Sequence, residues 1–425
     1  MGVTIAATQV ACRTTIGTQN ITTTALGELV PKAALTILTR ASADATVAAG
    51  GDMCIGATDG TRQWSFTWTV MDAQATTNTN RASLSTDCVH LLLTGSATAE
   101  VVGVFSAWIT NGITLDFTTA PATGYLLTVV FFAGTDLSVY CGNVGLGNTL
   151  NLETDITAPG FRPRVVLAAC NASQAMDGSG TTPRFSVGAI HENGAGVVTQ
   201  RSLMYRNADA AADVAEALHL STLYGVHEAN SAGAISWGGE FANFDASGFS
   251  VITRIAGGAS TGMGYLAMAF GGVIDAKVMT ITTPTATGSN TVTGAGFTSQ
   301  AVIQGLTFAE AVDTGYANDN AGTVGVSVLT ANAQFSNNAG DDDAAAESNS
   351  FSLTDDQAVN MLDAVQTAGL VATFTAFTSD GWTLNYTTVQ AAAKQWWAIA
   401  FQDAAHDALF SHLSKKRLAW PGYRM

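Results

Sequence analysis

Six histidines are the first side chains to weigh, because a neutral imidazole can bind a metal or move a proton near neutral pH. His90, His191, His406 and His412 stand apart from one another; only His219, His227 and Glu228 lie close enough along the chain to suggest a shared metal. Isolated histidines on a β scaffold are more often solvated or hydrogen-bonded, so no metal ligand is expected. Asp341, Asp342 and Asp343 could hold Ca²⁺ or act as paired carboxylates in glycoside hydrolysis. They lie in an Asn-, Ala-, Gly- and Ser-rich stretch without a matching carboxylate elsewhere, which points to a solvated loop tip. Trp64, Trp68 and Trp237 offer faces for sugar rings, though packing in a core or an interface is the favoured use.

The five cysteines, Cys12, Cys54, Cys88, Cys141 and Cys170, show none of the paired spacings that zinc needs and read as small buried residues. A disulfide from Cys12 to a neighbouring chain stays open, since pairing depends on a Cα separation. No nucleophile elbow, phosphate-binding loop, dinucleotide fingerprint or HExxH helix is present. The expectation is therefore a protein without catalytic residues and without a cofactor. The one segment that reads as a binding element is the tail, where Lys415, Lys416, Arg417, Trp420, Tyr423 and Arg424 hold four of the 17 basic residues beside two aromatics. Such a segment suits docking on an acidic neighbouring subunit, the alternative being a disordered end.

The elements that would carry these residues come from a long repeat. Asp87 to Phe132 aligns without a gap on Asp356 to Phe401, with about 14 of the 46 pairs identical. Its clearest block sets Asn111-Gly112-Ile113-Thr114-Leu115-Asp116-Phe117 against Asp380-Gly381-Trp382-Thr383-Leu384-Asn385-Tyr386, and a third copy begins at Ser247-Gly248-Phe249. Each copy reads as a Gly at a turn requiring positive φ, then a strand in which Ile113, Leu115 and Phe117, or Trp382, Leu384 and Tyr386, face one way. A closing strand follows at Leu127 to Phe132, Leu266 to Phe270 and Trp396 to Phe401. The start recurs too: Pro31-Lys32-Ala33 matches Pro163-Arg164-Val165, and more loosely Ser299-Gln300-Ala301, placing a proline where a strand tolerates a missing N–H. Thr354 to Val365 fits either a capped helix or a strand, and its match to Thr86 to Leu93 favours the strand.

Composition agrees. Only 12% of residues are charged, against roughly a quarter in an average soluble domain, and Thr, Ala and Gly fill the difference, which suits many short strands. The predicted fold is all-β, with three tandem β-sandwich, jelly-roll-like domains of about 130 residues. The expected limits are an N-terminal polar arm over 1–20, repeats over 21–145, 146–279 and 280–403, and the basic and aromatic tail over 404–425. A net charge of −16 disfavours nucleic acid. The longest apolar runs, such as Tyr125 to Ala133, are strand-length and the N-terminus lacks a secretory pattern, so no membrane partner and no conventional export are expected.

With the Pro-Lys/Arg entrance, the Gly-Phe/Trp strand and the Ala-alternating closing strand in threefold, the chain resembles virion-associated proteins of tailed phages and prophages over most of residues 20–403. The resemblance implies a non-enzymatic structural component of a tail, baseplate, fibre or capsid decoration, found in the virion after assembly in the host cytoplasm. Its partners would be other virion proteins and copies of itself, a trimer among the arrangements. A carbohydrate-binding adhesin that engages a host surface glycan is the alternative. A polysaccharide-degrading enzyme would need a carboxylate pair that the sequence does not offer.

Overall fold

The computed structural model describes residues 2–172, 174–211, 216–230, 233–257, 259–271, 275–317, 322–342, 347–363 and 366–402. They form an all-β structure with 33 strands, and among the described residues the only helical element is a 3₁₀ turn, Thr24–Leu26. The first eleven strands are β1 (Thr4–Ala11), β2 (Gly17–Thr22), β3 (Pro31–Thr39), β4 (Ala48–Ala49), β5 (Met53–Thr58), β6 (Gln63–Val70), β7 (Thr79–Leu84), β8 (Val89–Leu92), β9 (Ala99–Ile109), β10 (Gly112–Thr119) and β11 (Leu126–Ala133). The next eleven are β12 (Leu137–Leu146), β13 (Glu153–Ile156), β14 (Val165–Asn171), β15 (Gly178–Gly180), β16 (Arg184–Glu192), β17 (Val198–Asn207), β18 (Glu216–Ser221), β19 (Val226–Ala229), β20 (Ile235–Phe244), β21 (Phe249–Ile255) and β22 (Thr261–Phe270). The last are β23 (Ala276–Thr282), β24 (Gly288–Thr293), β25 (Ser299–Thr307), β26 (Gly315–Ala317), β27 (Gly322–Thr330), β28 (Gln334–Asp341), β29 (Phe351–Asp355), β30 (Val359–Leu362), β31 (Ala368–Thr378), β32 (Gly381–Thr388) and β33 (Gln395–Gln402).

One strand order appears three times. The seven-stranded sheets run β1-β11-β3-β5-β6-β7-β15, β12-β22-β14-β16-β17-β18-β26 and β23-β33-β25-β27-β28-β29-β4. The four-stranded sheets run β2-β10-β9-β8, β13-β21-β20-β19 and β24-β32-β31-β30. The last strand of each large sheet comes from a different set of eleven: β15 completes the first, β26 the second and β4 the third. The exchange is cyclic, so the three sets are stitched into a closed ring by main-chain hydrogen bonds.

The alternating residues explain the layering. Ile113, Leu115 and Phe117 of β10 are fully buried, as are Trp382 and Leu384 of β32, while the residues between them are partly exposed. This is the period of a sheet with one wet face. Strands β3, β5 and β14 are buried along nearly their whole length, because a small sheet covers one face and the other large sheets cover the other. Leu35, Leu167 and Ile303, at matching places in β3, β14 and β25, meet with Ile55, Val187 and Val326 around one apolar void of about 10 Å³. The three large sheets therefore share a core along a common centre. Phe401 lies there with its ring 6.2 Å from both Phe132 and Phe270.

Three expectations change and one, the strand favoured over Thr354 to Val365, is met. Residues 1–20 are not a separate arm: β1 pairs with β11 along its length and β2 with β10, and Val3, Ile5 and Ala7 alternate into the shared core. The boundaries move as well, since β12 pairs with β22 and β23 with β33, so residues 137–145 and 276–279 belong with the sheets that follow them. Thr354 to Val365 contains no helix among its described residues; β29 ends in it and β30 crosses it. The recurring glycine is set by a close approach more than by a left-handed turn. A Cβ on Gly112 would sit 2.0 Å from the Ile21 carbonyl oxygen, one on Gly248 1.8 Å from that of Ile156, and one on Gly381 2.1 Å from that of Val292. Only Gly381 has a positive φ; in the first copy that conformation falls on Asn111.

Candidate functional site

The structure spends most of the side chains with chemical potential on packing. His219 and His227 are buried with their rings 4.8 Å apart. Ser202 donates its hydroxyl to the Tyr224 carbonyl, so the His227 Nδ1, 2.7 Å away, is the donor to Ser202 Oγ and the tautomer is fixed. Burial lowers His219 to about 4 and His227 well below its ordinary value, which keeps both neutral. Glu228 does not join them, because it ion-pairs with Arg184. Trp64, Trp68 and Trp237 are core residues at 0–1% exposure. Cys12 is buried, which raises its thiol to about 12, and all five cysteines are free and buried; the disulfide left open for Cys12 is out of reach of a neighbouring chain.

Asp341 is a correction. It ends β28 and is fully buried instead of tipping a solvated loop, accepting hydrogen bonds from Asn207 Nδ2 at 2.9 Å and from the backbone of Asp342 and Asn349. Burial raises its carboxyl to about 7. Asp343 lies outside the described residues, as do Lys415, Lys416, Arg417, Trp420, Tyr423 and Arg424. Asp44, Asp355 and Asp356 do come together, with ligand atoms within 4.8 Å of one another. This is a structural contact between the first and third sets: Asp44 accepts from the Asp356 backbone, and Asn360 takes up Asp355.

What recurs by threes is a set of junction contacts. The residue after each entrance position reaches a point where one set passes to the next or the ring closes. Lys32 Nζ donates to the Leu137 carbonyl at 2.7 Å, Arg164 lies 3.6 Å from Asp275, and Gln300 donates to the Val3 and Gln402 carbonyls while accepting from Ile5 N–H. The missing basic residue of the third entrance is thus replaced by an amide that meets two strand ends. Within each set, a glutamine at the start of a central strand bridges the two sheets. Gln63, Gln200 and Gln334 accept from Phe105, Phe241 and Phe374 N–H at 2.9, 2.9 and 2.6 Å, beside bulges that interrupt the ladder. Apolar periodicity does not mark these glutamines; their recurrence at matched positions is the signal the sequence carries.

The seams between sets are also bonded. Trp64 Nε1 donates to the Tyr265 carbonyl at 3.0 Å, Asn171 Nδ2 to that of Ala82 at 2.8 Å, and Arg201 Nε to Thr280 Oγ1 at 2.8 Å. Thr39 and Thr354 share a hydroxyl hydrogen bond of 2.7 Å, and Trp68 stacks on Tyr205 at 4.3 Å. An open groove of about 460 Å³ lies between the first and second sets, lined by Lys32, Asp59, Trp108, Ser138 and Phe161. Its charged groups are already engaged, Lys32 with Leu137 and Asp59 with Arg62 and Cys141 N–H. Among the described residues no helix is long and apolar enough to cross a membrane. No protein-family model matches the chain, and no curated protein matches it.

Proposed function

We propose that the chain is a non-enzymatic structural block of a tailed-phage virion, in which three tandem β-sandwich domains close into a single-chain imitation of a trimer. The wiring within each set supports a jelly-roll-like reading: the first strand pairs with the last and the second with the next to last, although four central strands form a meander. The observation that carries the proposal is the cyclic exchange of β4, β15 and β26, since main-chain bonds that tie each sandwich to another suit a rigid module. A body of this kind would fit a threefold or sixfold position on a tail, baseplate, fibre or head surface. Its outer loops would make the contacts. Exposed apolar side chains sit on two matching loops, Ile16 between β1 and β2 at 70%, and Leu150 between β12 and β13 at 58%.

Gold labelling of a tagged chain in purified particles tests the reading. Density at one fixed position is expected; absence of the protein from purified particles overturns it. The adhesin alternative would use the groove beside Trp108 and Phe161. A glycan array separates the two, because a saturable sugar ligand lost on Trp108→Ala favours the adhesin.

A further inference from the structure

Arg184 and Arg206 stand directly opposite each other on β16 and β17, a register that brings their Cβ atoms to about 5 Å. A third arginine reaches them from another sheet. Arg81, on β7, is 7% exposed and donates Nη1 to the Ala172 carbonyl at 2.7 Å, while Ala172 N–H bonds the Arg184 carbonyl at 2.9 Å. Among the described residues, Glu228 is the one carboxylate paired with these three guanidinium groups, through Arg184. Among the described residues, four buried nitrogens have no hydrogen-bond partner: Nε of Arg81, Nε of Arg184, and Nε and Nη1 of Arg206.

Buried N–H groups on a cation are rarely left unmet, and like charges brought together out of water oppose folding. Burial lowers Arg81 to about 10, and Arg184 and Arg206 add to the effect. Opening to solvent is retained, because the Arg184 side chain is 28% exposed. We infer that Arg81, Arg184 and Arg206 form an anion site at the seam of the first and second large sheets, which takes a tetrahedral oxyanion, phosphate or sulfate. Guanidinium N–H groups suit the several acceptor oxygens of such an ion far better than a halide. The bound ion would tie β7 to β16 and β17, acting as a removable pin in the ring. The inference is independent of the virion reading.

The test follows thermal unfolding of the full chain in phosphate, sulfate or chloride at matched ionic strength, with dextran sulfate as a polymer-borne ester. Phosphate and sulfate are expected to raise the melting temperature with saturation, by about 2–3 °C at a hundredfold excess over Kd. Arg206→Met, which removes one member of the ladder pair, should lose that response and melt no lower than the parent chain in chloride, since one uncompensated charge is gone. Arg81→Met should lose the response as well. No saturable shift with either free ion overturns the inference, as does a response that survives in both variants; a response to dextran sulfate alone replaces a free-ion site with one for an esterified polymer.

Discussion

Arg40 and the trio Arg81, Arg184 and Arg206 are arginines lodged between sheets, yet their surroundings differ in kind. Arg40 is fully served. Asp52 pairs with its Nε, Glu100 with Nη1 at 2.7 Å, and the Leu92 carbonyl accepts from Nη2 at 2.9 Å; Tyr125, 3.0 Å from Nη1, donates in turn to Glu100. Among the described residues, the trio shares one carboxylate and keeps four buried nitrogens unmet. The buried carboxylates contrast in the same way, since Asp52 faces a cation and Asp341 faces Asn207. Around Arg40, within the first set, the cation is complemented by carboxylates and carbonyls of that set; at the seam of the first and second sets it is left partly open. A seam that holds unpaired charge can be tuned from outside by ions.

The largest expected effect is on the saturated side. Arg40→Met should cost about 3–5 kcal/mol in urea unfolding, because Asp52 and Glu100 then keep buried charge without a cation. A loss under 1 kcal/mol would break the contrast with the trio. At the seam, Asp341 gives a pH signature. Its folded carboxyl titrates at about 7 and the unfolded one near 4, so the folded state holds a proton that the unfolded chain has released across that window. Its contribution is full below about pH 4 and lost as pH rises to 7. His219 and His227 have the opposite sign: held neutral by burial, they contribute above about pH 6.5 and lose that contribution as pH falls. Asp341→Asn should therefore gain on the parent chain by about 4 kcal/mol between pH 4 and 8, read from urea midpoints at each pH. Smaller still are the bridging glutamines. Gln63→Ala, Gln200→Ala and Gln334→Ala should each cost about 1 kcal/mol, as each strands one backbone N–H; strongly unequal costs would show that the three bridges are not equivalent.

The strands were legible in the sequence wherever side chains alternate against one dry face. Ile113, Leu115 and Phe117 announce β10, and Trp382, Leu384 and Tyr386 announce β32, with the same burial pattern in both. β1 was missed because Thr8 and Gln9 made the segment look polar, although Ile5 and Ala7 already kept the period. The ring closure left no readable trace: β4, β15 and β26 are two or three residues long and built of Gly, Ala, Ser and Tyr, so neither periodicity nor propensity marks them. The arginine site was hidden for another reason. Arg81 lies far along the chain from Arg184 and Arg206, and the passage of β7 beside β15 and the end of β14 brings them together. Asp341 is hidden by composition, because Asn337, Asn338 and Gly340 before it have the residue types of a loop and yet are buried in β28.

The account rests on the chain closing upon itself, and the pairing of β4 with β29 is the contact that closes it. Ala48 sits opposite Ser352 in that pair, and the native cysteines are buried and free. An Ala48→Cys, Ser352→Cys chain, oxidised at low concentration and digested without reduction, should give a 48–352 cross-linked peptide from the monomer fraction at high yield. A link found only in dimers, or none in a folded chain, would mean that the first and third sets do not meet within one molecule.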